Sequence, residues 1–114
     1  MELTAKKAVE LSIELWEWLA ETGKEKANWP EWKRNGGHYP CVTSHCFLCE
    51  YNDRHGGDMP MNCSPCPYYG EHSFCREYRN PYEKWYQAET KPTKKKYAKQ
   101  FLEQLKTILK EMGD

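Results

Sequence analysis

The 114-residue chain lacks any long apolar run. No segment approaches the roughly 20 consecutive apolar residues that a membrane-spanning helix needs, and the charged N-terminal segment has no apolar stretch of signal-peptide length. We therefore expect a cytoplasmic protein that does not enter a membrane. Because disulfides are rare in a reducing compartment, the paired Cys-x-x-Cys motifs among its six cysteines are expected to bind a metal ion rather than to form disulfides.

An excess of charge of one sign is also missing, since 17 basic side chains balance 17 acidic ones. A protein that binds nucleic acid non-specifically through many phosphate contacts would carry a surplus of Lys and Arg. The positive charge that is present is concentrated in the C-terminal third of the chain. It allows one basic helix face, either solvated or in contact with nucleic acid, formed by Lys91, Lys94, Lys95, Lys96 and Lys99.

Hydrophobic residues are few, at 39% of the chain, whereas five Trp and eight Tyr are present. We expect a single domain over residues 1–114, in which aromatic rings supply much of a small core. A core of this size usually needs an additional staple, either disulfides or a metal ion.

The N-terminal segment 4–22 has the periodicity of an amphipathic helix. Thr4 is a suitable N-cap, and Gly23 is suited to end the helix in a left-handed conformation. The expected apolar stripe consists of Ala5, Ala8, Val9, Ser12, Ile13, Trp16, Leu19 and Ala20.

The C-terminal segment predicts two more helices, over 81–89 and 93–112. Asn80 can cap the first of them, with Pro81 at its first position and Glu83 placed to complete a capping box. The second has an apolar stripe of Tyr97, Ala98, Phe101, Leu102, Leu105, Ile108, Leu109 and Met112. We expect a mainly α fold in which the first and last helices pack together, with a short third helix and an irregular, metal-stapled section over 38–76.

The segment Trp29-Pro-Glu-Trp32 places two large rings beside a proline that prevents helix continuation. Both tryptophans are expected to fold back onto the helices as part of the core. The alternative is an exposed surface that binds a partner. The candidate residues for such a binding surface are Trp29, Trp32, Tyr68, Tyr69, Lys94 and Lys95.

Two Cys-x-x-Cys pairs, Cys46/Cys49 and Cys63/Cys66, form the most specific motif of the chain. Two such pairs supply four thiolates from two tight turns, which suits a tetrahedral zinc ion. Iron is the alternative ion, and buried free cysteines or two disulfides are the alternatives to a metal site. Other side chains near in sequence that could replace a ligand are Cys75, Cys41, His72 and His38.

The motifs of known metal-dependent catalysts are absent from the sequence. None of the four histidines is followed two positions later by Glu, as in nucleobase deaminases, and the metalloprotease His-Glu-x-x-His is missing. A nuclease-like site could use only His55, Asp58 and Asn62, in a loop that is short for that purpose. A redox dithiol would need a βαβ context and a helix N-terminus beside the cysteines, and the sequence indicates neither. Four thiolates leave zinc no open position, so we expect a structural ion in a protein that is not an enzyme.

A set of motifs along most of the chain resembles a group of small, largely uncharacterised Cys-rich proteins from bacteriophages and prophages. These motifs are Leu15–Ala20, Lys26–Pro30, Cys46–Tyr51, Cys63–Pro67, Tyr82 with Trp85, and Lys95–Ala98. Cys75 also fits the pattern of the group. Cys41 does not, which makes it the candidate for a free thiol, and the Tyr68-Tyr69 pair replaces an expected aliphatic residue.

The resemblance implies a setting in which small proteins act by binding. Such proteins occlude a host enzyme, sequester a signalling nucleotide or regulate transcription. We therefore expect a zinc-binding protein that binds a host protein or a small nucleotide signal during counter-defence or host takeover. The alternative is a nucleic-acid-binding zinc protein that uses the Lys91–Lys99 face.

Overall fold

The computed structural model describes residues 4–32, 47–54, 67–68 and 80–112. Within these residues the chain is mainly helical, as the sequence predicts. The α-helices are α1 (Ala5–Thr22), α2 (Phe47–Arg54), α3 (Pro81–Gln87) and α4 (Lys91–Met112), and a 3-10 turn spans Lys26–Asn28. None of the described helices combines the length and the apolarity that a membrane crossing requires.

Helix α1 begins and ends where its sequence indicates. The Thr4 hydroxyl accepts a hydrogen bond from the Lys7 backbone N–H at 3.1 Å, which satisfies one of the free donors of the first turn. Gly23 ends the helix at φ 70° and donates its N–H to the Leu19 carbonyl at 2.9 Å. The left-handed conformation at this position favours glycine, because a Cβ atom would crowd the backbone.

The first and last helices pack against each other in antiparallel directions. The carboxyl end of α1 lies beside the amino end of α4, since a Cβ atom built on Gly23 would be only 3.0 Å from the Lys91 Cβ. The interface between α1 and α4 is the most extensive one among the described elements. The buried apolar side chains are Ala8, Val9, Leu11, Leu15, Trp16, Leu19, Ala20, Trp29, Trp32, Phe47, Leu48, Tyr68, Tyr82, Trp85, Ala98, Phe101, Leu102, Leu105 and Ile108.

Aromatic rings fill the centre of this core. The Trp16 ring of α1 lies 4.9 Å from Trp85 of α3 and 4.6 Å from Phe101 of α4, both at steep interplanar angles. Such edge-to-face pairs add about 0.5–1.5 kcal/mol each beyond the area they bury. One tryptophan therefore joins three helices, which explains how a chain with few aliphatic residues holds its helices together.

The junction between α3 and α4 differs from its prediction in two details. Helix α3 ends at Gln87, two residues early, and Asn80 holds the N-cap position without a capping hydrogen bond from its side chain, so the expected capping box is wrong. Helix α4 begins at Lys91, two residues early. Its first turn is capped by the Thr90 hydroxyl, which accepts a hydrogen bond from the Thr93 N–H at 3.4 Å.

Helix α2 lies inside the section that the sequence analysis describes as irregular, so that expectation is wrong for Phe47–Arg54. Phe47, Leu48 and Asn52 are buried and Tyr51 is half-buried. Their i, i+1, i+4, i+5 spacing places them on one side of a short helix, which packs against α1. Burial of this face outweighs the turn-forming residues that surround the segment.

Candidate functional site

The predicted metal site lies outside the described residues. This applies to Cys46, Cys63 and Cys66, to the alternative ligands Cys41, Cys75, His38 and His72, to Tyr69, and to the nuclease-like candidates His55, Asp58 and Asn62. Cys49 lies in α2, and its side chain is outside the description as well. Within residues 4–32, 47–54, 67–68 and 80–112, no group of three His, Cys, Asp or Glu side chains is arranged to hold a metal ion.

A buried aromatic ring stands next to each Cys-x-x-Cys pair in the sequence. Phe47 directly follows Cys46 and is fully buried, with its ring 5.1 Å from that of Trp32. Tyr68 follows Cys66 by two residues and is also fully buried. Its ring lies 4.9 Å from Phe101. The chain therefore enters the helical core at a residue close in sequence to each cysteine pair, and the four-sulfur donor set that the sequence predicts would suit zinc.

The cysteines of the redox-dithiol alternative, Cys46, Cys63 and Cys66, lie outside the described residues, and so does the side chain of Cys49 in α2. The expectation that these cysteines hold a structural ion rather than form a redox dithiol stays a prediction.

Three predicted binding residues belong to the core. Trp29 is 3% exposed, while Trp32 and Tyr68 are fully buried. The Trp32 indole N–H donates to the Lys26 carbonyl at 2.8 Å, and the Tyr68 hydroxyl lies 2.7 Å from the Gln104 side-chain oxygen, to which it donates. The expectation that the tryptophans fold back onto the helices is confirmed. These rings lie inside the protein and offer no exposed surface to a partner.

Lys94 is also buried, at 9% exposed, although it was predicted as a binding residue. Its ammonium group donates to the Trp85 carbonyl at 3.1 Å and lies 4.4 Å from the centre of a Trp85 ring. It also forms an ion pair of 3.2 Å with Glu25. Lys94 thus links α4 to α3 and to the segment after α1, beside an opening of about 430 Å³. All of its polar contacts are therefore made within the protein.

Lys95, the residue after Lys94, does not enter the core. It lines a cleft of about 630 Å³ between α1 and α4. Ala20 and Leu102 form the floor, and both are nearly buried. The cleft is lined by Glu17, Ala20, Glu21, Lys95, Lys99, Leu102 and Glu103. Since the opening is wide and its walls carry charged groups, it suits a polar macromolecular surface better than an apolar small molecule.

Four of these charged side chains have no partner within the described part of the chain. Glu17, Glu21, Lys95 and Lys99 make neither an ion pair nor a side-chain hydrogen bond there, whereas Glu103 pairs with Lys106 at 3.9 Å. Three of the four are exposed and Lys95 is half-buried. Their charges are therefore available to a second molecule.

Each wall of the cleft continues along its helix as a stripe of mainly one charge, which Glu103 interrupts on α4. The acidic stripe of α1 consists of exposed side chains at i, i+4, i+7, i+11 spacing, namely Glu10, Glu14, Glu17 and Glu21. The basic stripe of α4 consists of Lys91, Lys95, Lys99, Lys106 and Lys110. Sequence reasoning missed the last two lysines of the basic stripe, which continue the same helix face two to three turns beyond Lys99.

The chain was compared with protein-family models, with curated proteins and with solved structures, and none of them matches it.

Proposed function

We propose that the protein acts by binding a host protein through the cleft between α1 and α4, and that it is not an enzyme. The observation that carries this proposal is the set of four unpaired charges, two acidic on α1 and two basic on α4, on walls held by an aromatic core. Charges fixed on rigid helices provide specificity and speed association with a partner of complementary charge. A partner with acidic and basic groups side by side matches this cleft.

We also propose that a zinc ion staples the Cys-rich section to these helices. Cys46, Cys49, Cys63 and Cys66 would hold it, and the burial of Phe47 and Tyr68, which lie close to the two pairs in the sequence, supports this assignment. Bound zinc supplies folding free energy to a domain with a small core. Iron is the alternative ion, and the alternative ligands are Cys75, Cys41, His72 and His38.

The setting of this activity rests on the resemblance to phage and prophage proteins. We propose that the protein works in the bacterial cytoplasm during counter-defence or host takeover. A small signalling nucleotide is the alternative ligand to a host protein.

Affinity capture from bacterial lysate tests the proposed function. The Glu17→Lys/Glu21→Lys variant reverses the acidic wall, while Glu89→Lys/Glu111→Lys makes the same charge change at exposed positions outside the cleft. We expect one host protein in near-stoichiometric amount with the unmodified chain and the control variant, and its loss with the cleft variant. If no host protein is captured and no member of a nucleotide panel binds, the proposal is rejected.

Nucleic-acid binding is the second candidate, because the basic stripe is longer than the sequence analysis predicted. Of the predicted face, Lys94 is buried in the core and Lys96 lies beside the Tyr97 ring rather than on the stripe. Lys106 and Lys110 continue the stripe toward the end of α4. The carboxylates of Glu17 and Glu21 line the same cleft and would repel phosphates, which favours a protein partner.

Binding to DNA and RNA at low salt, where phosphate contacts are strongest, tests this candidate. Each lysine–phosphate contact contributes about −0.9 to the slope of log K against log salt for duplex DNA. The Lys95→Glu/Lys99→Glu variant should therefore weaken binding and flatten that slope by about 2 if both lysines contact phosphate. Undetectable binding of the unmodified chain at low salt removes the candidate.

A further inference from the structure

The charges of the cleft are sorted by helix. Its α1 wall carries Glu17 and Glu21, and its α4 wall carries Lys95 and Lys99, at corresponding levels along the two antiparallel helices. Glu103 also lines the α4 wall, where its carboxylate is paired with Lys106. The first four side chains do not pair with one another or with the rest of the described chain. The molecule therefore presents an acidic band beside a basic band across one open face.

Such a face is complementary to itself. Consider a two-fold axis that runs along the cleft, parallel to the helices. Rotation about this axis places α1 of the second copy over α4 of the first, and α4 of the second over α1 of the first, without a shift along the helices. Glu17 and Glu21 of each copy then face Lys95 and Lys99 of the other. Every contact forms twice, as in an isologous dimer interface.

We propose that two copies of this chain associate through the cleft as a two-fold dimer. In this dimer each α1 packs antiparallel to α4 of the second copy, so that the four helices form an antiparallel bundle. We assign a second copy of the chain to the cleft because each copy carries both an acidic wall and a basic wall. The two walls lie at the same level along the helices, so each can face its opposite in the second copy. Exposed ion pairs are individually weak and screened by salt, and only Ala20 and Leu102 add apolar surface, so the association is reversible.

The dimer covers the cleft to which the proposed function assigns a host protein, so a host partner displaces the second copy. The two proposals are tested separately. Self-association is measured with purified protein alone, whereas the proposed function is measured by capture from lysate. A monomeric chain that still captures a cleft-dependent host protein overturns only the dimer.

Sedimentation velocity and native mass spectrometry of the purified full chain test the dimer. We expect a monomer–dimer equilibrium at low ionic strength that shifts toward monomer with added salt, as the Debye length falls from roughly 30 Å at about 0.01 M to roughly 3 Å at 1 M. Glu17→Lys/Glu21→Lys makes both walls basic, and Lys95→Glu/Lys99→Glu makes both walls acidic. Each variant alone should raise the dimer dissociation constant about tenfold or more, because attraction is replaced by repulsion.

An equimolar mixture of the two variants gives the sharpest result. The unpaired charges of the cleft are all basic in one variant and all acidic in the other. The mixture should therefore form a heterodimer, identified by its mass, at a concentration at which neither variant alone forms a homodimer. The Glu89→Lys/Glu111→Lys control should dimerise like the unmodified chain. Far-ultraviolet circular dichroism confirms that each variant is folded. A monomeric unmodified chain at low salt, homodimers of either cleft variant, or a mixture without heterodimers overturns the proposal.

Discussion

Lys94 offers a direct test of how the described helices are joined. Replacement by Met keeps an unbranched stem of similar length and removes the ammonium group. The lost contacts are the hydrogen bond to the Trp85 carbonyl at 3.1 Å, the cation–π contact at 4.4 Å and the ion pair with Glu25 at 3.2 Å. Because Lys94 is only 9% exposed, water does not screen the first two contacts, and both contribute to stability.

The expected loss of stability in Lys94→Met follows from these contacts. A hydrogen bond from a charged group contributes about 1.5–3 kcal/mol, and a shielded cation–π contact up to about 2 kcal/mol. The ion pair adds little, because the Glu25 side chain is 58% exposed. The Trp85 carbonyl keeps its bond from the Ala88 N–H, and Met avoids the cost of burying an ammonium group. We expect a net loss of about 1–3 kcal/mol in the free energy of unfolding.

Urea unfolding followed by circular dichroism measures this loss. The matched control is Lys95→Met, one residue further along α4, whose side chain has no partner within the described chain. Its stability should stay within about 0.5 kcal/mol of the unmodified protein, and so should that of Glu25→Gln. If Lys94→Met unfolds at the same urea concentration as Lys95→Met, the structural role of Lys94 is refuted.

Substitutions at three further positions probe the ends of α1 and the attachment of Tyr68, each measured by the same unfolding assay. Gly23→Ala should cost about 1–2 kcal/mol, because φ is 70° and the new methyl group would lie 3.0 Å from the Lys91 Cβ; an unchanged stability would contradict the close approach of α1 and α4. Thr4→Ala should cost about 0.5–2 kcal/mol through loss of the cap, and Thr4→Ser should restore it. Tyr68→Phe should cost about 0.5–1.5 kcal/mol through loss of the hydrogen bond to Gln104, whereas a gain in stability would show that this contact does not hold the segment.

Strong periodicity explains why α1 and α4 could be predicted from the sequence. Both helices repeat apolar residues at 3.6-residue spacing over many turns, and Thr4 and Gly23 mark the ends of α1 with residues whose chemistry suits those positions. Helix α2 gives no such signal, because it has only eight residues and lies between cysteines and turn formers. Its existence depends on burial of Phe47 and Leu48 by distant parts of the chain, which no local pattern reports.

The charged site was harder to predict than the fold. A run of three lysines at 94–96, with Lys91 before it and Lys99 after it, suggested a single basic face. Lys94, however, lies at i+4 and i+7 spacing from Ala98 and Phe101, on the buried side of α4. That spacing was the available signal, since a long lysine stem can lie along the core while its ammonium reaches a polar group. The cleft could not be predicted, because it depends on which faces of α1 and α4 are adjacent in space.

The proposed zinc site and the proposed binding cleft both depend on one central claim, that a metal-stapled helical core presents a charged cleft. Native mass spectrometry of the full chain, purified without added metal, tests this claim most directly when combined with thermal unfolding before and after chelation. We predict one zinc ion per chain, and a marked fall in unfolding temperature when the ion is removed, because metal binding and folding are coupled. A metal-free chain that is folded and unfolds at the same temperature with or without chelator would contradict the claim.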